Sequence, residues 1–111
     1  MTTTIKFESG KEATFMANAA TKYRYKQVFG KELNTTLFSA KKELKAELIE
    51  EMAYVMAKQA AGEADTMSKE GFCAWLEEFD PFDLMLSGAD IINLYGKQAQ
   101  MHSVQKKKES Q

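Results

Sequence analysis

Few side chains in this sequence of 111 residues are of the kinds that do chemistry. His102 is the one histidine and Cys73 the one cysteine. Nothing in their spacing forbids a thiolate–imidazole pair, in which the ring would take the thiol proton. Yet Cys73 stands beside Phe72 in an apolar stretch, the setting of an inert core thiol. The carboxylates Asp80 and Asp83 could act as an acid–base pair. Flanking Pro81, however, they also read as helix-capping groups, and that role accounts for both. No cluster has zinc-ligand spacing, and neither a Walker loop nor a Gly-rich dinucleotide turn is present. The expectation is no catalytic residue, no metal, no cofactor and no enzymatic activity.

Binding is the remaining class of function, and charge narrows it. The formal net charge is −1, so no global field draws the chain to nucleic acid or an anionic membrane. Between Lys69 and Lys97 there is no basic residue, and Glu70, Glu77, Glu78, Asp80, Asp83 and Asp90 give that stretch −6. The last seven residues carry Lys106, Lys107 and Lys108 against Glu109, for +2. A solvated acidic face and a solvated basic tail are the plain readings of both. Hydrophobic residues at 44% and aromatic residues at 11% suffice for a real core in one domain. A single cysteine forbids an intrachain disulfide, which suits a reducing compartment. MTTTIKFESGKE lacks the apolar core of a signal peptide, and no run approaches the roughly 18 apolar residues of a membrane span. A soluble, intracellular protein is expected.

The elements that must position these groups follow from periodicity. Ile5 and Phe7 alternate with polar residues, Ser9-Gly10-Lys11 suits a turn, and Ala13 and Phe15 supply the matching face of a hairpin. Asn18 is placed to cap a helix over 19–29 that Gly30 ends. Residues 33–38 read as a connection pinned to the core by Leu33, Leu37 and Phe38. A long helix is expected over 39–61, with Leu44, Leu48, Met52, Val55, Met56 and Gln59 on one stripe broadened by Ile49 and Tyr54. Its wet side would carry Lys41, Lys42, Glu43, Lys45, Glu47, Glu50 and Glu51. Gly62 ends it, and 63–65 is linker.

Thr66 or Ser68 starts a shorter helix burying Phe72, Trp75, Leu76 and Phe79. Asp80 then caps a further helix with Pro81 in its first turn. Leu84, Met85, Gly88, Ile91, Ile92 and Tyr95 continue that helix at regular spacing to about residue 100. The fold class is α+β, predominantly α: a short N-terminal hairpin, about four helices, a compact domain over 1–101 and a disordered basic tail over 102–111.

Two binding classes can be weighed from the same residues. Helices meeting at Asp80-Pro81 faintly suggest a helix-turn-helix, but the second helix has no Lys or Arg for phosphate, and Asp83 and Asp90 would repel it. The basic patch of Lys22, Arg24, Lys26 and Lys31 is small and partly offset by Glu32. Nucleic acid is not an expected partner, nor is membrane. Protein is. Seven methionines, with Met52, Met56 and Met85 on expected apolar faces, suit either a core or a surface adapting to apolar partners.

Four stretches together resemble the tail assembly chaperones of siphophages, especially those of Gram-positive hosts. Arg24-Tyr25, Phe29-Gly30-Lys31 and Leu33 are similar to the family's R-Y-x-x-x-F-G-x-x-L segment. Residues 52–60, Met-Ala-Tyr-Val-Met-Ala-Lys-Gln-Ala, resemble its central helix. Phe72 with 75–79, Trp-Leu-Glu-Glu-Phe, is the third stretch, and 91–95, Ile-Ile-Asn-Leu-Tyr, the fourth. At Tyr95-Gly96 the chain departs from the family, where a larger aromatic such as tryptophan is expected.

The resemblance implies a protein of the host cytoplasm, absent from the mature virion. It would bind apolar helical segments of the tape measure protein, keeping them soluble until tail tube subunits displace it. Many copies along one partner would supply avidity, and self-association is compatible with that role. Members are often encoded just upstream of a programmed frameshift whose extended product recruits tail tube protein. Lys106-Lys107-Lys108 fits an A-rich slippery stretch or an ordinary solubilising tail equally. The contact residues that follow are Tyr54, Met56, Trp75, Phe79 and Leu84. A second reading, from another class, is a small acidic regulatory adaptor or inhibitor that docks on a basic surface of a host protein.

Overall fold

A computed structural model describes residues 2–39 and 46–96. The expected α+β, predominantly α architecture is present: an N-terminal two-stranded hairpin followed by helices. Strand β1 (Thr2–Lys6) pairs antiparallel with β2 (Glu12–Met16), with Thr4 opposite Thr14 and Ile5 opposite Ala13. The apolar face turns inward, and Phe15 is fully buried. On the wet face the hydroxyls of Thr4 and Thr14 meet at 2.9 Å. A slip of one residue would turn Phe15 out to solvent, so burial fixes the register. Phe7 lies just past β1 and is buried; its N–H donates to the Lys11 carbonyl at 2.8 Å across the turn.

Asn18 builds a turn rather than the helix cap. Its Oδ1 accepts from the Ala20 N–H at 2.9 Å, its N–H donates to Thr21 Oγ1 at 3.0 Å, and α1 begins only at Thr21 (Thr21–Phe29). Gly30 terminates α1 as expected, at φ 72° in the left-handed region that glycine tolerates best. Residues 33–39 are not a connection. They form a helix, α2 (Leu33–Ser39), whose first residue, Leu33, is buried. Of its weak helix formers, Thr36 donates its hydroxyl to the Glu32 carbonyl at 2.7 Å and Thr35 donates to Glu32 Oε2 at 3.3 Å.

Helix α3 (Ala46–Ala60) is the centre of the molecule. Nine of its fifteen residues are buried, so it is covered on far more than one stripe. Strand β2, α1 and the later helices all pack on it. Leu48, Met52, Val55, Met56 and Gln59 are buried as the stripe requires, and so are Ile49, Ala53 and Tyr54. Glu51, expected on the wet side, is buried too. Leu44, Lys41, Lys42, Glu43 and Lys45 lie outside the described residues.

A 3-10 turn (Ala64–Thr66) occupies the expected linker. Helix α4 (Lys69–Leu76) follows, and Ser68 is its cap, accepting the Gly71 N–H at 2.9 Å. The long last helix is divided in two. Helix α5 (Asp83–Leu86) spans four residues, Ser87 interrupts, and α6 covers residues 88–96. Gly88 permits the close packing at that break: a Cβ there would lie 2.6 Å from Ile49 Cδ1. No helix of the described residues is long and apolar enough to cross a membrane. The expected tail over 102–111, with His102 and Lys106 to Lys108, lies outside the described residues.

Candidate functional site

The five expected contact residues divide by position. Tyr54, Met56 and Leu84 are core residues, closed off from solvent because α3 is covered over most of its surface and α5 turns Leu84 inward. In this fold they offer no surface to a partner. Trp75 and Phe79 are only half-buried, packed at the margin of the core with rings 4.6 Å apart.

These two rings belong to a row of aromatics running beneath and along α4. Phe29 meets Phe72 at 5.1 Å, Phe72 meets Tyr54 at 5.4 Å, Tyr54 meets Trp75 at 5.6 Å, and Phe79 meets Phe7 edge-on at 5.5 Å. Buried Tyr54 anchors the row to α3, and its hydroxyl oxygen accepts the Ser68 N–H at 3.3 Å. Gly71 lets α4 sit that low. A Cβ there would lie 2.7 Å from Tyr54 Oη. Even so, α4 has no fully buried residue, so the expected buried side of Phe72, Trp75, Leu76 and Phe79 is a half-buried one. Cys73 is exposed on the same helix rather than held in the core.

The junction after α4 is fixed by polar groups. Asp80 does not cap α5, and no side chain does; Asp83 Oδ2 instead accepts the Asp80 N–H at 3.2 Å and the Ser9 hydroxyl at 2.8 Å, tying the hairpin turn to α5. Pro81 precedes the helix, and Phe82 occupies its N-terminal boundary. Lys11 reaches across from the hairpin to Glu78 at 3.5 Å and lies 4.9 Å over the Phe79 ring. With Asp83 and Leu84 facing inward, α5 turns Met85 and Leu86 out, and Phe82 at its boundary is exposed with them. Phe82 is 62%, Met85 42% and Leu86 68% exposed, so Met85 is not the buried residue that regular spacing predicted. Among the described residues, Glu70, Glu77, Asp80 and Asp90 have no ion pair.

The buried polar groups elsewhere hold helices together. Glu51 accepts the Tyr25 hydroxyl at 2.7 Å and Lys31 Nζ at 3.2 Å. Burial, then the bond to Glu51, pushes the Tyr25 hydroxyl above its ordinary pKa. Gln59 Nε2 donates to the Met16 carbonyl at 2.7 Å and to Thr21 Oγ1 at 2.9 Å, while its Oε1 accepts from Arg24 at 3.0 Å. Tyr95 donates to Asn34 Oδ1, and burial again raises the hydroxyl's pKa, partly opposed by that bond. The basic residues Arg24, Lys26 and Lys31 are thus engaged within the molecule, Lys26 with Glu32 at 3.5 Å. A groove of about 550 Å³ between β1 and α6 is lined by Thr2 to Lys6, Asp90, Asn93 and Leu94. Among the described residues, no group of three or more His, Cys, Asp or Glu side chains could hold a metal ion.

Sequence reasoning missed Phe82 and Leu86 altogether. A signal for them existed in the dipeptide Ser87-Gly88, which can break a helix, so that the spacing of 84–95 need not describe one face. The chain matches no protein-family model, no curated protein and no solved structure.

Proposed function

We propose that the chain is a non-enzymatic tail assembly chaperone of a long-tailed phage, one that shelters apolar helical segments of the tape measure protein in the host cytoplasm. One observation carries the reading on the structural side: the shoulder built by α4 and α5. Trp75 and Phe79 are half-exposed there, and three large apolar side chains stand out within five residues. Soluble monomers rarely expose contiguous apolar groups without a use for them. The four sequence stretches between Arg24 and Tyr95 supply the specific partner. Were the chain extended by a frameshift, the added domain would recruit tail tube protein, and self-association would add avidity.

Co-expression tests the proposal. The tape measure protein encoded beside this chain should move from the pellet to the soluble fraction when the chain is present. If its solubility is the same with and without the chain, the chaperone reading fails. Glu70, Glu77 and Asp80, without an ion-pair partner among the described residues, favour a second reading, an acidic adaptor on a basic host protein. That reading predicts a complex with a host protein in cells lacking all other phage genes, and no effect on the tape measure protein.

A further inference from the structure

Three of the four strongly exposed large apolar residues among those described fall on one short segment, at positions 82, 85 and 86. Their spacing places Met85 and Leu86 one turn from Phe82. Asp80 belongs to the same hydrogen-bonded junction, since its carbonyl accepts the Asp83 N–H at 3.1 Å and its own N–H donates to Asp83. Glu77 closes α4 just before it, whereas Asp90 lines the groove against β1 together with Lys6. The segment carrying the patch is thus anionic: Glu77 and Asp80, both exposed, precede Phe82 within five residues, and neither has a cation partner among the described residues.

That charge pattern selects among occupants. A second copy docking through the same patch would bring carboxylates against carboxylates, which opposes a two-fold contact. Anionic lipid and nucleic acid are repelled for the same reason. A helix with an apolar stripe and cationic flanks satisfies both parts at once, apolar against Phe82, Met85 and Leu86 and Lys or Arg against Glu77 and Asp80. We infer that the α5 patch docks one amphipathic helix of another polypeptide with Lys or Arg bordering its apolar stripe. The inference rests on the chaperone reading in one respect: it specifies the chemistry of the tape measure segments that the chain would shelter.

A model peptide serves as the probe, roughly 14 residues of leucine and lysine at helical spacing, titrated calorimetrically into the full chain. A counterpart with glutamate for every lysine is the control. The lysine peptide should bind, weaken as salt rises, and bind at least about tenfold more weakly to Phe82→Ser/Leu86→Ser and to Glu77→Lys/Asp80→Lys. Both double variants alter exposed side chains, and circular dichroism should show them folded. Equal binding of the glutamate peptide, or full affinity in the Phe82→Ser/Leu86→Ser variant, overturns the inference. So does a tenfold gain of affinity when Lys106, Lys107 and Lys108 are all replaced by Ser, because the chain's own tail would then be the occupant. The two readings separate cleanly. If the tape measure protein is solubilised equally by wild type and Phe82→Ser/Leu86→Ser, the chaperone stands and the patch falls. If the lysine peptide binds at the patch but the tape measure protein is never solubilised, the patch stands and the chaperone falls.

Discussion

Helices α3 and α4 both carry large apolar side chains, and these meet opposite fates. Met52, Tyr54 and Met56 of α3 are wholly enclosed, whereas Phe72 and Trp75 of α4 are half in water. The difference lies in what surrounds each helix. Strand β2, α1, α4 and α5 all pack on α3, while α4 rests on α3 alone among the principal helix contacts. Aromatic and methionine content therefore says little by itself about binding; position in the stack of elements decides whether such a residue holds the fold or meets a partner. Here the shoulder of α4 and α5 is the region with apolar surface to spare.

That contrast is most easily broken by truncation. Met56→Ala removes a fully buried side chain from the centre of α3 and should cost about 2–5 kcal/mol. A loss of that size is a large part of the stability of an ordinary domain. Leu86→Ala, on the exposed side of α5, should change stability by less than about 0.5 kcal/mol. Urea denaturation of the two variants, at equal m-value, reads the difference. Comparable losses would mean that α5 is as much core as α3, and the shoulder would lose its claim to be a free surface.

The seam between the two regions gives a smaller effect. Gly71→Ala would ordinarily strengthen a helix interior by about 1 kcal/mol. Here the new methyl would press on the Tyr54 hydroxyl at 2.7 Å and Ser68 Oγ at 3.1 Å, and the Tyr54 ring is enclosed and has no room to retreat. The clash should outweigh propensity, with a net loss of about 1–2 kcal/mol. Trp75, the one tryptophan, lies 5.6 Å from Tyr54, so its emission should shift as α4 lifts. A stabilised variant with unchanged emission would show that α4 is not seated through this contact.

Where the sequence was legible, one local signal and one global pattern agreed. Alternation in Ile5, Phe7, Ala13 and Phe15 made the hairpin, and Gly30 and Gly62 marked the ends of α1 and α3. The core stripe of α3 was readable for the same reason. What escaped reading depended on tertiary partners. Glu51 looks like a wet residue by type and spacing, and only Tyr25 and Lys31, distant in sequence, make its burial tolerable. Asp80 and Asp83 are both capping residues by type. The Ser9 hydroxyl, more than seventy positions away, holds Asp83 inward. The candidate site fared likewise: Trp75 and Phe79 lie on the shoulder, but nothing local distinguishes them from Tyr54, Met56 and Leu84, which the packing of α3 and α5 encloses.

The smallest expected effect concerns the charge conflict that α3 carries because it is so enclosed. Partial burial, then repulsion from Glu47 and Glu51, raises the Glu50 carboxyl above its usual pKa of 4.5. An acid whose pKa is raised by folding favours the folded state in its protonated form. Its contribution is therefore fully present below about pH 4.5 and is lost as pH rises through the raised value. Glu50→Gln keeps the shape and nearly the helix propensity while removing the charge. The variant should be more stable at pH 7 by about 0.3 kcal/mol, the size of one like-charge pair on a helix that still faces solvent in part. The gain should shrink in high salt and vanish near pH 4, where the native residue is itself uncharged. Paired thermal melts at the two pH values measure it. A gain of equal size at both would assign the effect to packing rather than charge, and α3 would then differ from α4 in enclosure alone.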